Sequence, residues 1–325
     1  MTALLTFATA ILLGIWTEFD GAEAGDANSQ PVPNQKRDPN NTETDTRDSG
    51  QSQKLVTNSI GMKLTLIPAG EFMMGSKESP EELRNAFKDY ADPCLWVDHF
   101  GDQYPRHRVR ITKPFYLGTH HVTVGQFRKF VEDTAYKTDA EQSYGVGVAI
   151  GPGGEEFTAG RQFNWRNTGF AQTDEHPVVN VSWNDATEFC RWLSRKEGKT
   201  YRLPTEAQWE YACRAGTTTR FYNGEDPEKL AQVGNVLDAT CKARFPHLED
   251  SAIHGVDGYV FTSPVGRFRP NAFGLYDMHG NAAQWCSDWY GAKYYEASPA
   301  DDPSGPNSAK SRVCRGSSWG AVGPS

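Results

Sequence analysis

This 325-residue chain has little that is basic, sulfur-rich or continuously apolar. Its 33 Lys and Arg are outnumbered by 41 Asp and Glu, for a net charge of -8, which leaves no cationic footprint for nucleic acid. Six cysteines, Cys94, Cys190, Cys213, Cys241, Cys286 and Cys314, form no Cys-x-x-Cys and no Cys/His pair at ligand spacing. That pattern argues against zinc and leaves disulfides or buried thiols. The chain holds no Gly-x-Ser-x-Gly elbow, no His-Glu-x-x-His and no Walker loop, and Gly145 to Gly154 lacks Gly-x-Gly-x-x-Gly spacing and reads as a plain loop. The leading apolar run, Ala3 to Trp16, is too short to span a bilayer.

Abundant turn formers and aromatics are what the chain does have. With 31 glycines, 19 prolines and 9 tryptophans it favours short strands and turns around large aromatic anchors, and 38% hydrophobic content suffices for the core of one main domain. Ala22-Glu23-Ala24 supplies a small-x-small cleavage site after the apolar run, although no Lys or Arg precedes it. Residues 1–24 therefore read as a signal peptide for export to the periplasm or the exterior, the alternative being a retained apolar helix. Residues 25–54 are Asn, Asp, Ser, Thr, Gln and Pro with almost no large apolar side chain, a disordered linker by composition. The domain then occupies 55–325.

Within it, Thr57 to Ser76 alternates apolar and polar residues about the turn Pro68-Ala69-Gly70, which predicts a strand pair, and Val109-Arg110-Ile111 with Phe115-Tyr116-Leu117 predicts another. Val124 to Glu132 follows a helical period with Thr123 as N-cap, and a second helix spans about Asn184 to Lys196. Pro204-Thr205-Glu206 opens a short helix in which Trp209 and Cys213 share a face. Tyr222 to Thr262 lacks regular period and predicts long irregular backbone.

Two dense segments, Tyr201 to Cys213 and Asn271 to Tyr290, carry a resemblance. Further blocks are Ile67-Pro68-Ala69-Gly70-Glu71-Phe72-Met73-Met74-Gly75-Ser76, Pro105-Arg106-His107, Val122 to Phe127, Asn164-Trp165-Arg166, His176 to Trp183 and Arg315-Gly316-Ser317-Ser318-Trp319. In this order they closely resemble the formylglycine-generating enzyme family, also called sulfatase-modifying factors. The resemblance implies a mixed α+β domain of the C-type-lectin-like kind, low in regular secondary structure, whose C-terminal end lies past Ser325. A domain without that end is expected to expose apolar surface around Trp209, Trp285 and Trp319 and to leave Cys213 unpaired. Cys286 and Cys314 could then pair with one another.

Active members of the family hold Cu(I) with two cysteines and oxidise a cysteine in a sulfatase peptide to an aldehyde; soft thiolates suit that ion. The first of those positions is Ala321 here, and the second falls beyond the chain, so copper is not expected. Ser318 matches a residue flanking the groove and reads either as a substrate-contacting hydroxyl or as a buried strand serine. The resemblance places calcium at Asn235, the carbonyl of Val236, Asp257 and the carbonyl of Tyr259. A second set is Asp277, the carbonyls of Gly280 and Ala282, and Gln284, where Gln replaces the usual Glu. Such mixed oxygen sets suit calcium, and the alternative is turn-forming Asn and Asp bonded to backbone. His120-His121 points to opposite faces and makes a poor metal pair, while His107, His176 and His279 read as hydrogen-bonding structural groups. Two functions follow: an oxidase-lineage modifying factor acting on a sulfatase-type cysteine peptide, or a lectin-like module that binds or regulates another protein without oxidase chemistry.

Overall fold

The structure, a computed structural model, describes residues 11–13, 16–17, 55–90, 102–142, 147–150, 157–160, 162–245 and 252–322. In chain order come β1 (Ile11–Leu13), β2 (Trp16–Thr17), β3 (Leu55–Thr57), β4 (Lys63–Ile67), β5 (Gly70–Met74), α1 (Pro80–Phe87), β6 (His107–Ile111), β7 (Phe115–Gly118) and α2 (Val124–Thr134). They are followed by β8 (Gly147–Ile150), β9 (Phe157–Gly160), α3 (Trp183–Glu197), α4 (Glu206–Arg214), α5 (Ala239–Arg244), β10 (Ala283–Trp289) and β11 (Arg312–Arg315).

The strands predicted in two local pairs exist, but their partners are exchanged. β4 pairs antiparallel with β7, Ile67 facing Phe115, and β5 pairs with β6, Gly70 facing Ile111. The result is one nested ribbon, bent near Pro68 and Pro114, residues that cannot donate to a ladder. Its outer half joins a four-stranded sheet of order β2-β7-β4-β3, and its inner half stays two-stranded. A second departure lies at Gly147 to Ile150, read as loop from its glycines: this segment pairs antiparallel with Phe157 to Gly160 as a hairpin. The backbone of β1 runs parallel to β10, and that of β2 pairs with β7. The remainder of the proposed signal peptide and linker lies outside the described residues. Among the described residues, no helix is long and apolar enough to cross a membrane.

Local chemistry sets the helices. Thr123, Ser182 and Thr205 each cap a helix in a reciprocal capping box, closed by Gln126, Asp185 and Gln208. α2 and α3 face each other through Phe127, Phe130 and Phe189, with the Phe127 and Phe189 rings stacked 5.9 Å apart. α4 is sunk into a second cluster against β5, β6 and β10, and every residue from Ala207 to Cys213 on it is buried. α5 and the irregular stretch around it build a third cluster with α1 and Trp319.

The tryptophans expected at an exposed patch are covered. Trp209 is 0% exposed and Trp319 5%; Trp285 is half-buried and donates Nε1 to the Val181 carbonyl at 3.2 Å. Apolar packing thus closes over the site from within the described residues. Cys190, Cys213, Cys241, Cys286 and Cys314 are free thiols. The register accounts for Cys286 and Cys314, because Cys314 faces Trp285 across the β10–β11 pair, and a one-residue offset sends neighbouring side chains to opposite sheet faces.

Candidate functional site

β11 leaves its sheet through a tight turn. Gly316 has φ 94°, and a side chain there would meet Trp209 Cζ2 at 3.1 Å and Gln284 Nε2 at 3.2 Å. Ser317, at φ 58°, is also left-handed, a conformation that costs an L-residue about 1–2 kcal/mol. The chain then closes on itself: Ala321 N donates to the Ser318 carbonyl at 3.1 Å, and Leu237 N donates to the Ala321 carbonyl at 3.3 Å. Ser318 is buried inside this turn. Trp319 donates its backbone N–H to the Asn281 carbonyl at 3.2 Å and sets its ring edge-on to Phe261, 5.4 Å between centroids. Phe170 stacks on Phe261 at 4.7 Å and completes the aromatic wall.

Below the wall lies a buried amide network. Asn281 Nδ2 donates to the Ser263 carbonyl at 3.0 Å, and its Oδ1 accepts from Ser263 N at 2.9 Å. Asn235 Nδ2 donates to the Phe261 carbonyl at 2.7 Å. Asp257, from the first oxygen set, accepts from Val236 N at 2.9 Å and from Tyr259 N at 2.8 Å, the backbone bonding of a turn-forming Asp. Burial pushes the Asp257 carboxyl up to about 7. Asp238, not singled out from sequence, accepts the Asp257 N–H at 2.6 Å and also caps α5 through Cys241 N. Its sequence signal was an Asp just ahead of the short helical stretch Ala239–Arg244. Asn235 Oδ1 is buried with no donor, so a hard cation fits the chemistry of this set.

In the second set, Asp277 has a left-handed backbone, φ 57°. Asp277 Oδ2 accepts from Gly266 N at 2.9 Å while Oδ1 is buried without a partner, and burial pushes the carboxyl up to about 7. Gln284 accepts from Trp209 Nε1 at 3.0 Å and turns Nε2 toward the Asp277 carbonyl at 3.4 Å. The Gly280 carbonyl accepts from Ala282 N at 2.9 Å. A side chain at Gly280 would strike the Asn235 carbonyl, so glycine lets the two sets abut. Asp277 Oδ1 is the acceptor this set leaves open.

The sulfatase-modifying factor enzyme 1-like domain family matches residues 51–324. The chain belongs to that family. It is 36% identical over 277 residues to a formylglycine-generating enzyme of Streptomyces coelicolor, covering 78% of this chain and 84% of the relative. Against the formylglycine-generating enzyme of Bos taurus it is 33% identical over 276 residues, spanning 66% of that protein. A protein of Chlamydia pneumoniae named serine/threonine-protein kinase pkn1 is 30% identical over 260 residues, which are 33% of its length. The structure of PvdO from Pseudomonas aeruginosa superposes with a TM-score of 0.60 at 28% identity, covering 84% of this chain and 88% of PvdO. The formylglycine-generating-enzyme fold expected from the sequence is the fold observed.

Family membership brings copper into question, and with it the described thiols Cys241 and Cys213. Ala321 is the position at which the resemblance puts the family's first copper cysteine. Cys241 shares an apolar cluster with Trp319 and Val322, but burial, reinforced by Asp238 and Asp257, pushes its thiol up to about 12. Cys213, whose Sγ lies 3.8 Å from His279 Nε2, is likewise pushed up to about 12 by burial. Both are buried thiols among apolar neighbours.

The histidines sort as structural groups. His279 Nε2 accepts from Tyr222 N at 3.1 Å, and burial drives the ring down to about 3. His176 Nδ1 accepts from Thr173 N at 3.0 Å, and His107 Nδ1 lies 3.0 Å from the Pro105 carbonyl. His120 stacks on Tyr276, centroids 4.9 Å apart. Among the described residues, no cluster of three or more His, Cys, Asp or Glu is placed to hold a metal; any ion here would depend on amide and carbonyl oxygens.

One feature that the motif reading missed is a buried charge cluster under the turn. Glu210, 3% exposed, accepts from Gly75 N at 2.9 Å, from Arg214 Nε at 2.8 Å and from Arg315 Nη2 at 2.7 Å. Burial opposes its ionisation, but Arg214 and Arg315 prevail and hold the carboxyl below its ordinary value. Glu206, one turn earlier, accepts from the Tyr295 hydroxyl at 3.1 Å and sits 3.8 Å from Arg315 Nε; burial pushes it up to about 7. The i, i+4 pair Glu206/Glu210 on a short apolar helix was the available signal.

Proposed function

We propose that this chain is a binding module of the formylglycine-generating-enzyme family, one that holds a sulfatase-type cysteine peptide or a similar extended segment without oxidising it. The observation that carries the reading is Ala321, a methyl in place of a soft ligand, with its backbone committed to the Ser318–Leu237 turn. The aromatic wall of Trp319, Phe170 and Phe261 and the amide network beneath it persist as a rigid platform. The matching region of the chlamydial relative is a third of a longer protein with a different name, in keeping with the domain serving as a module.

The test presents a Cys-x-Pro-x-Arg peptide to the protein with Cu(I) and oxygen. Saturable binding by fluorescence anisotropy with an unchanged peptide mass is the expected result. Copper-dependent aldehyde, trapped by a hydrazide, would restore the oxidase reading; no binding at all would remove the module reading. We propose further that calcium occupies the Asn235–Asp257 set and, more weakly, the Asp277 set, supported by the buried unpartnered oxygens of Asn235 and Asp277. Export rests on the Ala3–Trp16 run and the Ala22-Glu23-Ala24 site, and N-terminal sequencing of protein recovered from a bacterial periplasm tests it.

A further inference from the structure

A cavity of 320 Å³ opens between β5, the start of β6 and the turn after α4. Phe72 and Tyr211 line one side, their rings 5.4 Å apart and tilted by 53°, and Thr217 and Thr218 line another. Three guanidiniums reach it, from Arg106, Arg108 and Arg214. They are not equivalent.

Arg108 is paired at the rim with Glu71. Arg214 is fully engaged: Nε with Glu210 at 2.8 Å, Nη1 with the Thr219 carbonyl at 3.2 Å and Nη2 with the Gly75 carbonyl at 3.1 Å. Arg106 is different, because its Nε is buried and, among the described residues, without an acceptor. The carboxylates around it already have cations: Glu71 has Arg108, Glu78 has Arg220, and Glu210 has Arg214 and Arg315. Arg106 is half-buried, its guanidinium has no carboxylate partner among the described residues, and an oxyanion in the cavity would supply one.

The walls select what carries the oxyanion. Aromatic faces of Phe72 and Tyr211 and the apolar stem of Met73, 39% exposed, suit a flat apolar body rather than a bare hydrated ion. The volume lies at the small end of ligand pockets. We infer that this cavity binds a small aryl carboxylate, its carboxylate on Arg106 beside Thr218 and its ring against Phe72 and Tyr211. None of these residues belongs to the turn of Ser318 or to the two oxygen sets, so the site is additional to the proposed peptide platform.

Benzoate titrated into the full chain by calorimetry tests it, with inorganic sulfate as the probe of charge alone. Benzoate should saturate one site and sulfate should bind at least about ten-fold more weakly. Arg106→Gln should weaken benzoate by at least about ten-fold, the loss of one charge-assisted pair. Thr218→Val should weaken it less, and Arg106→Gln should melt no lower than the parent, since it removes an uncompensated charge. Binding of the Cys-x-Pro-x-Arg peptide should be untouched by Arg106→Gln. Benzoate that fails to saturate, binds Arg106→Gln as well as the parent, or is matched by sulfate overturns the assignment, as does an Arg106→Gln chain that cannot fold.

Discussion

Arg315 Nη2 donates to Glu210 Oε2 across 2.7 Å in the interior of the domain, joining the end of β11 to the middle of α4. Glu210 passes the connection to Arg214 and to the Gly75 amide, so one carboxylate ties together three segments distant in sequence. Removing it leaves two guanidiniums without their shared anion. Glu210→Ala should therefore lower unfolding stability by about 3–5 kcal/mol, the usual result of breaking a buried ion pair from one side. Denaturant unfolding of parent and variant measures it, and a change under about 1 kcal/mol would show that Glu206 takes over as the anion.

Glu206 makes stability depend on pH. A carboxyl raised from 4.5 to about 7 binds its proton more tightly when folded than when unfolded. Its contribution is thus complete below pH 4.5 and is lost as pH rises through about 7. Against Glu206→Gln, which cannot ionise, the parent should lose about 3 kcal/mol over that window. Parallel stability curves for the two proteins would dismiss the buried neutral acid.

At Ser317 the backbone is left-handed, φ 58°. Ser317→Gly removes the clash between Cβ and backbone but adds freedom to the unfolded chain. The balance favours the glycine by up to about 1 kcal/mol. A higher melting temperature with unaltered peptide binding is the outcome expected; a lower one would mean that the serine side chain has a bonding role in the turn.

Calcium should raise the melting temperature of chelator-treated protein, by about 2.7 kcal/mol of stabilisation at a hundred-fold excess over Kd. Asp257→Ala should abolish most of the gain and Asp277→Ala a smaller part. Identical melting curves with calcium and with chelator would return both sets to the role of turn-forming residues.

Much of this architecture could be read from the chain because its signals are local. Thr123 and Thr205 cap helices that begin where the sequence places them, since a cap and its N3 partner lie three residues apart. Motif resemblance singled out Asp257, whose bonds from Val236 N and Tyr259 N are local enough to follow from an Asp in a turn. Asp238 escaped because it reaches Asp257 across an irregular stretch with no period. Glu210, Arg315 and Arg106 escaped for a related reason: whether a charge is buried, paired or left alone depends on contacts between segments far apart. The strand partners were misassigned on the same grounds, since alternation identifies a strand and its faces but carries no address for its neighbour.

The nested ribbon of β4 to β7 biases the order of events during folding. Pairing Met74 with His107 closes a shorter loop than pairing Gly70 with Ile111 or Ile67 with Phe115, so closure entropy favours zipping from the inner rungs outward by about 0.3 kcal/mol. The inner rungs therefore belong to the nucleus and the outer rungs to its completion. Truncating Val109 should slow refolding, whereas truncating Leu66 should chiefly hasten unfolding. A ribbon built this way sets the domain's refolding rate by one long-range closure, the one that brings Met74 to His107.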